Sequence, residues 1–331
     1  MQTLQSLNHC LLDENVLRSL TQRRVVTILD FLNEDIEKLS IATKLTLSQI
    51  LSVRNFILDK YSAPIVTGDA LLERDRSFPK LLPTGIKRLD HALNGGIPIG
   101  YISELCGLAG CGKTQFGFQL AINCVQTLQR TVLYIDTKGD FSAIRVQKIL
   151  ENCGIPNMEM AEIMFKIKIV RIWTMDDLAD IIKKIKNKII TFKDLALMIV
   201  DSLPTLMFQY LGDQNKIGLA LLNTFVNDCR YLCSQFQIST VCVNIQTRWI
   251  DQDVSDVDDD KLDSTVREAV IEKQNRCLGK YWQAIPTLVI ILENTLNDVE
   301  DEHEINVTIN KSANVNTCKK CVLKTKNGIL F

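Results

Sequence analysis

Between residues 11 and 60 the apolar positions recur at helical spacing. Leu17, Leu20, Val25, Ile28, Leu29, Leu32, Ile36, Leu39, Leu47, Ile50, Leu51, Phe56 and Ile57 carry the pattern, charged residues fill the gaps, and Gly and Pro are both absent. A period near 3.6 in breaker-free stretches predicts a bundle of three or four short helices, a small all-α domain over residues 1–60. Punctuation follows: Pro64, Gly68 and Pro79, with Pro83 and Gly85 just beyond. Breakers at this density mark 61–81 as a linker, with 63–66 a candidate edge strand.

From residue 82 the pattern changes to short apolar runs alternating with amphipathic stretches. Strands are predicted at 101–107, 131–136, 165–172, 195–200 and 238–244, and helices at 113–128, 141–153 and about 216–236. A further helix starts after Thr174, an N-cap with Asp177 at the reciprocal capping-box position, and its expected buried stripe is Leu178, Ile181, Ile182, Ile185 and Ile189. In the 216–236 helix Leu219, Leu222, Phe225, Val226, Cys229, Leu232 and Cys233 share one face. Strands alternating with helices imply βαβ units and a parallel sheet. The runs at 286–293, 304–310 and 320–331 have no helices between them, so they predict an antiparallel extension. Residues 82–331 are thus expected to form one α/β domain, with Trp173 and Trp282 in its core.

Composition narrows the function classes. Of 331 residues 46% are apolar and 23% charged, a globular rather than a disordered balance. Lys and Arg number 38 against 39 Asp and Glu, so contact with nucleic acid would rest on local patches rather than a whole-chain field. The longest apolar runs, 195–200 and 285–292, fall short of the roughly 20 residues a membrane span needs. The N-terminus lacks a basic stretch followed by a long apolar one, so no secretory signal is expected. The 11 cysteines are odd in number and scattered, and Cys106, Cys229 and Cys242 sit inside apolar runs. Reduced, buried thiols of an intracellular protein are the economical expectation. Cys318 and Cys321 form one CxxC with no second pair or nearby His, too few ligands for zinc. His9, His91 and His303 are isolated, and the lysine-rich run 183–188 reads as the wet face of a helix.

Chemistry concentrates at residues 107–114, GLAGCGKT, which fit G-x-x-x-x-G-K-[ST] without exception. An apolar strand precedes the motif and an amphipathic helix follows. Glycines let backbone N–H groups turn inward toward phosphates, and the helix points its N-terminus at the same anion. Gly107, Leu108, Ala109, Gly110, Cys111, Gly112, Lys113, Thr114 and the adjoining Gln115 are therefore the expected nucleotide-binding residues, Lys113 reaching the β and γ phosphates. The buried strand 195–200 ends in Asp201, the form of a Walker B element. Thr114 and Asp201 are the expected holders of Mg²⁺, and ATP with Mg²⁺ the expected cofactors.

Residues 82–115, LPTGIKRLDHALNGGIPIGYISELCGLAGCGKTQ, strongly resemble the entry segment of the RecA-like recombinase ATPases of eukaryotes and archaea, where S/P-T-G-x-x-x-L-D-x-L-L-x-G-G-I-x-x-G leads into the P-loop. VLYIDTKGDF (132–141) looks like that family's second core strand, and LALMIVDS (195–202) like its Walker B strand. VCVNIQTR (241–248) matches the strand ending in the sensor Asn, which assigns Asn244 and Gln246 to the sensor. The segment 277–293 and the later Lys311-Ser312 fit the C-terminal strands. LGDQNKIGLALLNTF (211–225) is similar to the D-type paralogs, here in a divergent, invertebrate-like form. The first 60 residues resemble the family's small helical domain, so the likeness covers nearly the whole chain.

Three departures accompany the likeness. Active members carry a Glu in D-x-E-G, where it activates the attacking water; here Asp136-Thr137-Lys138-Gly139 puts Lys138 in that place. A lysine is no carboxylate base, so ATPase activity is expected to be weak at most. In the sensor, Ile245 separates Asn244 from Gln246, where active members have Asn-Gln. The second DNA loop would fall at about 248–275, yet 251–263 is acidic, and phosphates repel carboxylates. Arg248, Trp249, Arg267, Lys273 and Arg276 flank that tract as remaining candidates for DNA, and Tyr61 is a candidate aromatic anchor for a neighbouring protomer. The resemblance implies a nuclear ATP-binding recombinase paralog. It would assemble with other paralogs, of C and XRCC type, and support recombinase loading on single-stranded DNA in homologous-recombination repair. Two alternatives stay open: a strand-exchange ATPase that builds its own filaments, and a nucleotide-gated adaptor without DNA contact.

Overall fold

A computed structural model of the chain describes residues 3–62, 65–76, 80–210, 215–250, 272–295, 302–311, 318–326 and 329–331. The chain divides into two compact units, Met1–Arg74 and Asp75–Phe331. The first holds helices α1 (Glu14–Gln22), α2 (Ile28–Asn33), α3 (Ile36–Thr43) and α4 (Leu47–Tyr61). Each start is fixed by its cap. Asp13 and Asp35 accept from the first turns of α1 and α3, and Thr27 and Thr46 form reciprocal capping boxes with Asp30 and Gln49. The helical stripe closes on a core that includes Leu20, Phe31, Leu39, Ile50 and Ile57. Helix α5 (Gly68–Arg76) occupies part of the stretch expected to be a linker. Of the candidate edge strand 63–66, residues 63 and 64 lie outside the described residues and the other two are not in a strand.

The second unit begins with β1 (Leu81–Leu82), α6 (Lys87–Ala92) and β2 (Ile97–Pro98). The alternating segment follows: β3 (Ile102–Gly107), α7 (Lys113–Leu128), β4 (Thr131–Asp136), α8 (Ala143–Asn152), α9 (Asn157–Lys166), β5 (Ile167–Arg171), α10 (Met175–Lys186) and β6 (Leu195–Asp201). Next come α11 (Leu203–Met207), α12 (Asn215–Phe236), β7 (Ser239–Val243), the hairpin β8 (Gln246–Ile250) and β9 (Glu272–Arg276), and α13 (Gly279–Gln283). The chain ends with β10 (Leu288–Asn294), β11 (Glu302–Lys311), β12 (Lys319–Lys326) and β13 (Ile329–Leu330). Among the described residues nine strands make one sheet in the order β13-β12-β11-β10-β3-β7-β6-β4-β5. The six from β10 to β5 are parallel, and β11, β12 and β13 extend them antiparallel.

Alternate residues of the parallel strands feed two cores. Tyr134, Leu197 and Val243 pack on the side of α7, α8 and α9, whereas Leu133, Met198 and Cys242 pack on the side of α10 and α12. Both faces are covered, which explains why these strands read as continuous apolar runs. Trp282 is fully buried as expected. Trp173 is not: it follows the sheet-edge strand β5 and is 62% exposed. Ile189 lies beyond the end of α10 and is 72% exposed, so the stripe stops at Ile185, and Leu219 is likewise exposed. All 11 cysteines are free.

The register sets up the site. Asp136 and Asp201 are paired positions at the ends of adjacent β4 and β6, and Gly107 ends β3 in the same sheet. Ligands of open α/β sheets bind outside these carboxyl ends.

Candidate nucleotide-binding site

The loop between β3 and α7 is shaped by its glycines. A Cβ on Gly107 would stand 2.4 Å from the Leu292 carbonyl oxygen and 2.5 Å from Cys111 Sγ, so no larger residue fits without displacing β10. Gly112 starts α7 at φ +87°, a conformation side chains resist. No side chain caps this helix, so its first N–H groups remain for an anion. The Lys113 ammonium, nearly buried, donates to Gly107 O at 2.9 Å and to Leu108 O at 2.5 Å. It therefore closes the loop on itself where a phosphate would enter. Cys111 is buried beneath the loop, and burial pushes its thiol above the ordinary range, so it stays protonated. Gln115 accepts from Arg145 Nε at 3.0 Å, which ties α7 to α8.

Asp201 is the hub. Its carboxylate is 2% exposed, and Oδ2 accepts from Thr114 Oγ1 at 2.7 Å and from the Tyr134 hydroxyl at 2.8 Å. Tyr134 is held by the rings of Phe118 and Phe141. Burial, then the Asp201 charge, hold its hydroxyl well above the ordinary tyrosine range, so it donates. The other oxygen, Oδ1, faces Lys138 Nζ at 3.1 Å, with Asp140 Oδ2 3.4 Å from the same ammonium. Burial acts to lower the Lys138 pKa, but Asp201 and Asp140 outweigh it and raise it above the usual value. The turn that aims Lys138 is built on Asp136. One oxygen accepts from the N–H groups of Lys138, Gly139 and Asp140 at 3.2, 2.8 and 3.2 Å, and the other from Phe141 at 3.1 Å.

The two residues expected to form the sensor lie in a second network. Asn244, fully buried, donates from Nδ2 to Glu104 Oε1 at 2.7 Å and to Cys277 O at 3.0 Å, and its Oδ1 accepts from Ile245 N. Glu104 sits inside β3 and pairs with Arg276 Nη1 at 2.8 Å. Burial raises the Glu104 pKa, although Asn244 and Arg276 pull it down. Arg276, a sequence candidate for DNA, is thus engaged by an internal carboxylate. The Gln246 side-chain oxygen Oε1 is buried without a hydrogen-bond partner among the described residues. The acidic tract 251–263 and Arg267 lie outside the described residues.

The structure therefore brings Lys113, Thr114, Asp201 and Lys138 to the carboxyl ends of the inner strands β3, β4 and β6, with Asn244 and Gln246 beyond β7. Sequence reasoning missed Tyr134 and Glu104. A lone Glu inside the apolar run YISELCG was the available signal, because a buried carboxylate demands a partner. Among the described residues no cluster of His, Cys, Asp and Glu is arranged to hold a metal. No described helix is long and apolar enough to cross a membrane.

Comparison with known proteins gives this arrangement its lineage. A family model described as Rad51 matches residues 76–263, and one described as RAD51D, N-terminal domain, matches residues 1–59. The chain belongs to the Rad51 family. It is 25% identical over 289 residues to DNA repair protein RAD51 homolog 4 of Bos taurus, covering 86% of this chain and 83% of that one. It is 30% identical over 186 residues to DNA repair protein RAD51 homolog 2 of Homo sapiens, covering 52% and 48% of the two chains. It is 27% identical over 180 residues to DNA repair and recombination protein RadA of Metallosphaera sedula, covering 52% and 55%. The Rad51 membership sets the chain among the RAD51 paralogs of recombinational DNA repair, with a RecA-like ATP-binding core. Rad51-family ATPases use ATP with Mg²⁺. The Thr114 hydroxyl and Asp201 carboxylate, 2.7 Å apart, are hard oxygen donors that suit this ion. Lys138 adds to them a positive charge that the ion would have to meet.

Proposed function

We propose that this protein is a nuclear, ATP-binding recombinase paralog that serves homologous-recombination repair as one subunit of an assembly with other paralogs, of C and XRCC type. In that assembly it supports recombinase loading on single-stranded DNA. Residues 82–331 are its ATPase domain, and 1–60 a helical domain joined through 61–81. Residues 107–115 cradle the phosphates, Lys113 contacts the β and γ groups, and Thr114 and Asp201 hold Mg²⁺, which supplies charge neutralisation when bound. Asn244 and Gln246 act as the sensor, and Asn244 reaches the strand before the P-loop through Glu104.

The observation that carries this proposal is the Lys138–Asp201 pair at 3.1 Å beside an intact phosphate loop. The site has the parts for holding a nucleotide, and an ammonium stands where a water-activating carboxylate belongs. Nucleotide then serves as interface glue and switch, with hydrolysis slow. Co-purification from cells with mass measurement of the intact complex tests the assembly. A recurrent complex containing other paralogs is expected, and a chain recovered only as a homo-oligomer would refute it.

A further inference from the structure

Building on the assignment of Mg²⁺ to Thr114 and Asp201, we propose that Tyr134 is a positioning residue for the metal. Its hydroxyl and that of Thr114 saturate one Asp201 oxygen, so the other is the oxygen turned toward the ion. The two oxygens differ in their surroundings. Oδ2 accepts from Thr114 Oγ1 at 2.7 Å and from the Tyr134 hydroxyl at 2.8 Å. Oδ1 is buried with no hydrogen-bond partner among the described residues. The Lys138 ammonium, 3.1 Å away, balances its charge without forming a hydrogen bond. A buried carboxylate oxygen in this state has an unmet acceptor, which a hard cation or a water of its shell satisfies. Lys138 keeps Asp140 Oδ2, 3.4 Å from the same ammonium, as its partner when the ion takes up Oδ1.

Tyr134 is the fixed member of this arrangement. The Asp201 side chain is almost wholly enclosed, so protein donors rather than bulk water set the plane of its carboxylate. One donor, Thr114, belongs to the phosphate loop and is itself a ligand of the ion. The other, Tyr134, stands on β4 and touches neither ion nor phosphate. Its ring is buried between those of Phe118 and Phe141, with centroids 5.6 and 5.0 Å away. Helix α7 closes over the hydroxyl, since a Cβ on Gly117 would lie 3.4 Å from it. The hydroxyl therefore has no second place to go. Without it Oδ2 would regain an open acceptor site, and the carboxylate would be free to turn away from the ion. A residue that only filled the core would need the ring and not the donor, which is the difference the test exploits.

The test is calorimetric titration of the full chain with ATP, in excess MgCl₂ and in excess EDTA, for wild type and Tyr134→Phe. The variant keeps the ring and removes only the donor. It is expected to bind ATP about tenfold more weakly than wild type in MgCl₂ and within about threefold of wild type in EDTA. Equal affinities of the two chains in MgCl₂ would overturn the proposal. A loss of the same size in both buffers would overturn it as well, because that marks a disturbed core and not a misplaced metal ligand. Wild-type affinity that is the same in both buffers would refute the Mg²⁺ assignment, and absence of wild-type binding in MgCl₂ the ATP assignment, each taking the proposal with it. A second readout needs neither a substitution nor metal-free binding. In wild type saturated with ATP and MgCl₂, the Tyr134 hydroxyl proton is expected to stay protected from solvent exchange in nuclear magnetic resonance spectra. A hydroxyl that exchanges freely once the magnesium nucleotide is bound would overturn the proposal.

Discussion

The Lys113 ammonium bonds to two carbonyls of its own loop, and phosphate oxygens replace them in the proposed complex. Lys113→Ala removes that charge and is expected to weaken ATP binding at least about 100-fold, the scale of two charge-assisted hydrogen bonds. Calorimetry checks this, and unchanged affinity would sink the phosphate-loop assignment. At position 138 the expectation concerns turnover. Wild-type protein alone is expected to release phosphate from ATP very slowly, and Lys138→Glu to release it faster in MgCl₂, because a carboxylate then stands in front of the site. Brisk wild-type turnover in a phosphate-release assay would show that another residue serves as base. The loop and Asp201 were legible from the residues because both motifs are local in sequence. Lys138 was legible as a departure, but not its partner. That Nζ meets Asp201 depends on β4 and β6 lying side by side, which spacing along the chain does not reveal.

Among the elements, the hairpin of β8 and β9 is tied to the central strand β3 by one buried ion pair, Arg276 to Glu104 at 2.8 Å. Removing one partner of such a pair costs about 3–5 kcal/mol, since the other is left buried and charged. Arg276→Ala is therefore expected to lower the chemical-denaturation midpoint at neutral pH. The sign of its pH dependence follows from Glu104. Its carboxyl is already raised by burial, and Arg276 is one of the groups pulling it down. Without Arg276 the folded-state value climbs further above the unfolded one, so the folded state binds the proton more tightly. The deficit of the variant relative to wild type should then shrink as pH falls through that raised value. A deficit constant between neutral and acid pH would contradict this account. Helix α4 offers a simpler case: Thr46→Ala removes a capping box and is expected to cost about 1 kcal/mol, read from equilibrium unfolding. Helix α7 and strands β3, β4 and β6 agree with their sequence patterns because periodicity and breakers coincide there. Helix α9 was missed because its apolar residues face both ways: Met160 and Ile163 are buried whereas Met158 and Phe165 are exposed, which blurs the period.

For the whole molecule the expectation concerns assembly. Wild-type chain with ATP, Mg²⁺ and single-stranded DNA is expected to form no regular homofilaments in electron micrographs. Many copies along one phosphate backbone would repeat the acidic tract 251–263 beside negative charge, and partner subunits would meet that repulsion only once per complex. Changing its aspartates to asparagines is expected to strengthen binding to single-stranded DNA, most at low salt. Regular homofilaments of the wild-type chain would restore the strand-exchange alternative. The architecture at this scale was legible in outline, since alternating runs announced a parallel sheet and the helix-free tail announced its antiparallel extension. The strand order was not, because which strands neighbour one another is decided by crossovers rather than by any strand's own residues.

The ring of four N–H groups around Asp136 has a genetic consequence. Those bonds come from the main chain, so the turn keeps its shape whichever side chain stands at position 138. Lysine and glutamate codons differ at their first base alone. One nucleotide change thus separates a site that carries its own cation from one that presents a carboxylate; the main-chain turn survives the exchange, and its cost falls on Asp201 and Asp140, which exchange an ammonium for a third carboxylate. A lineage with this turn can move between holding nucleotide and consuming it without first rebuilding the protein around the change.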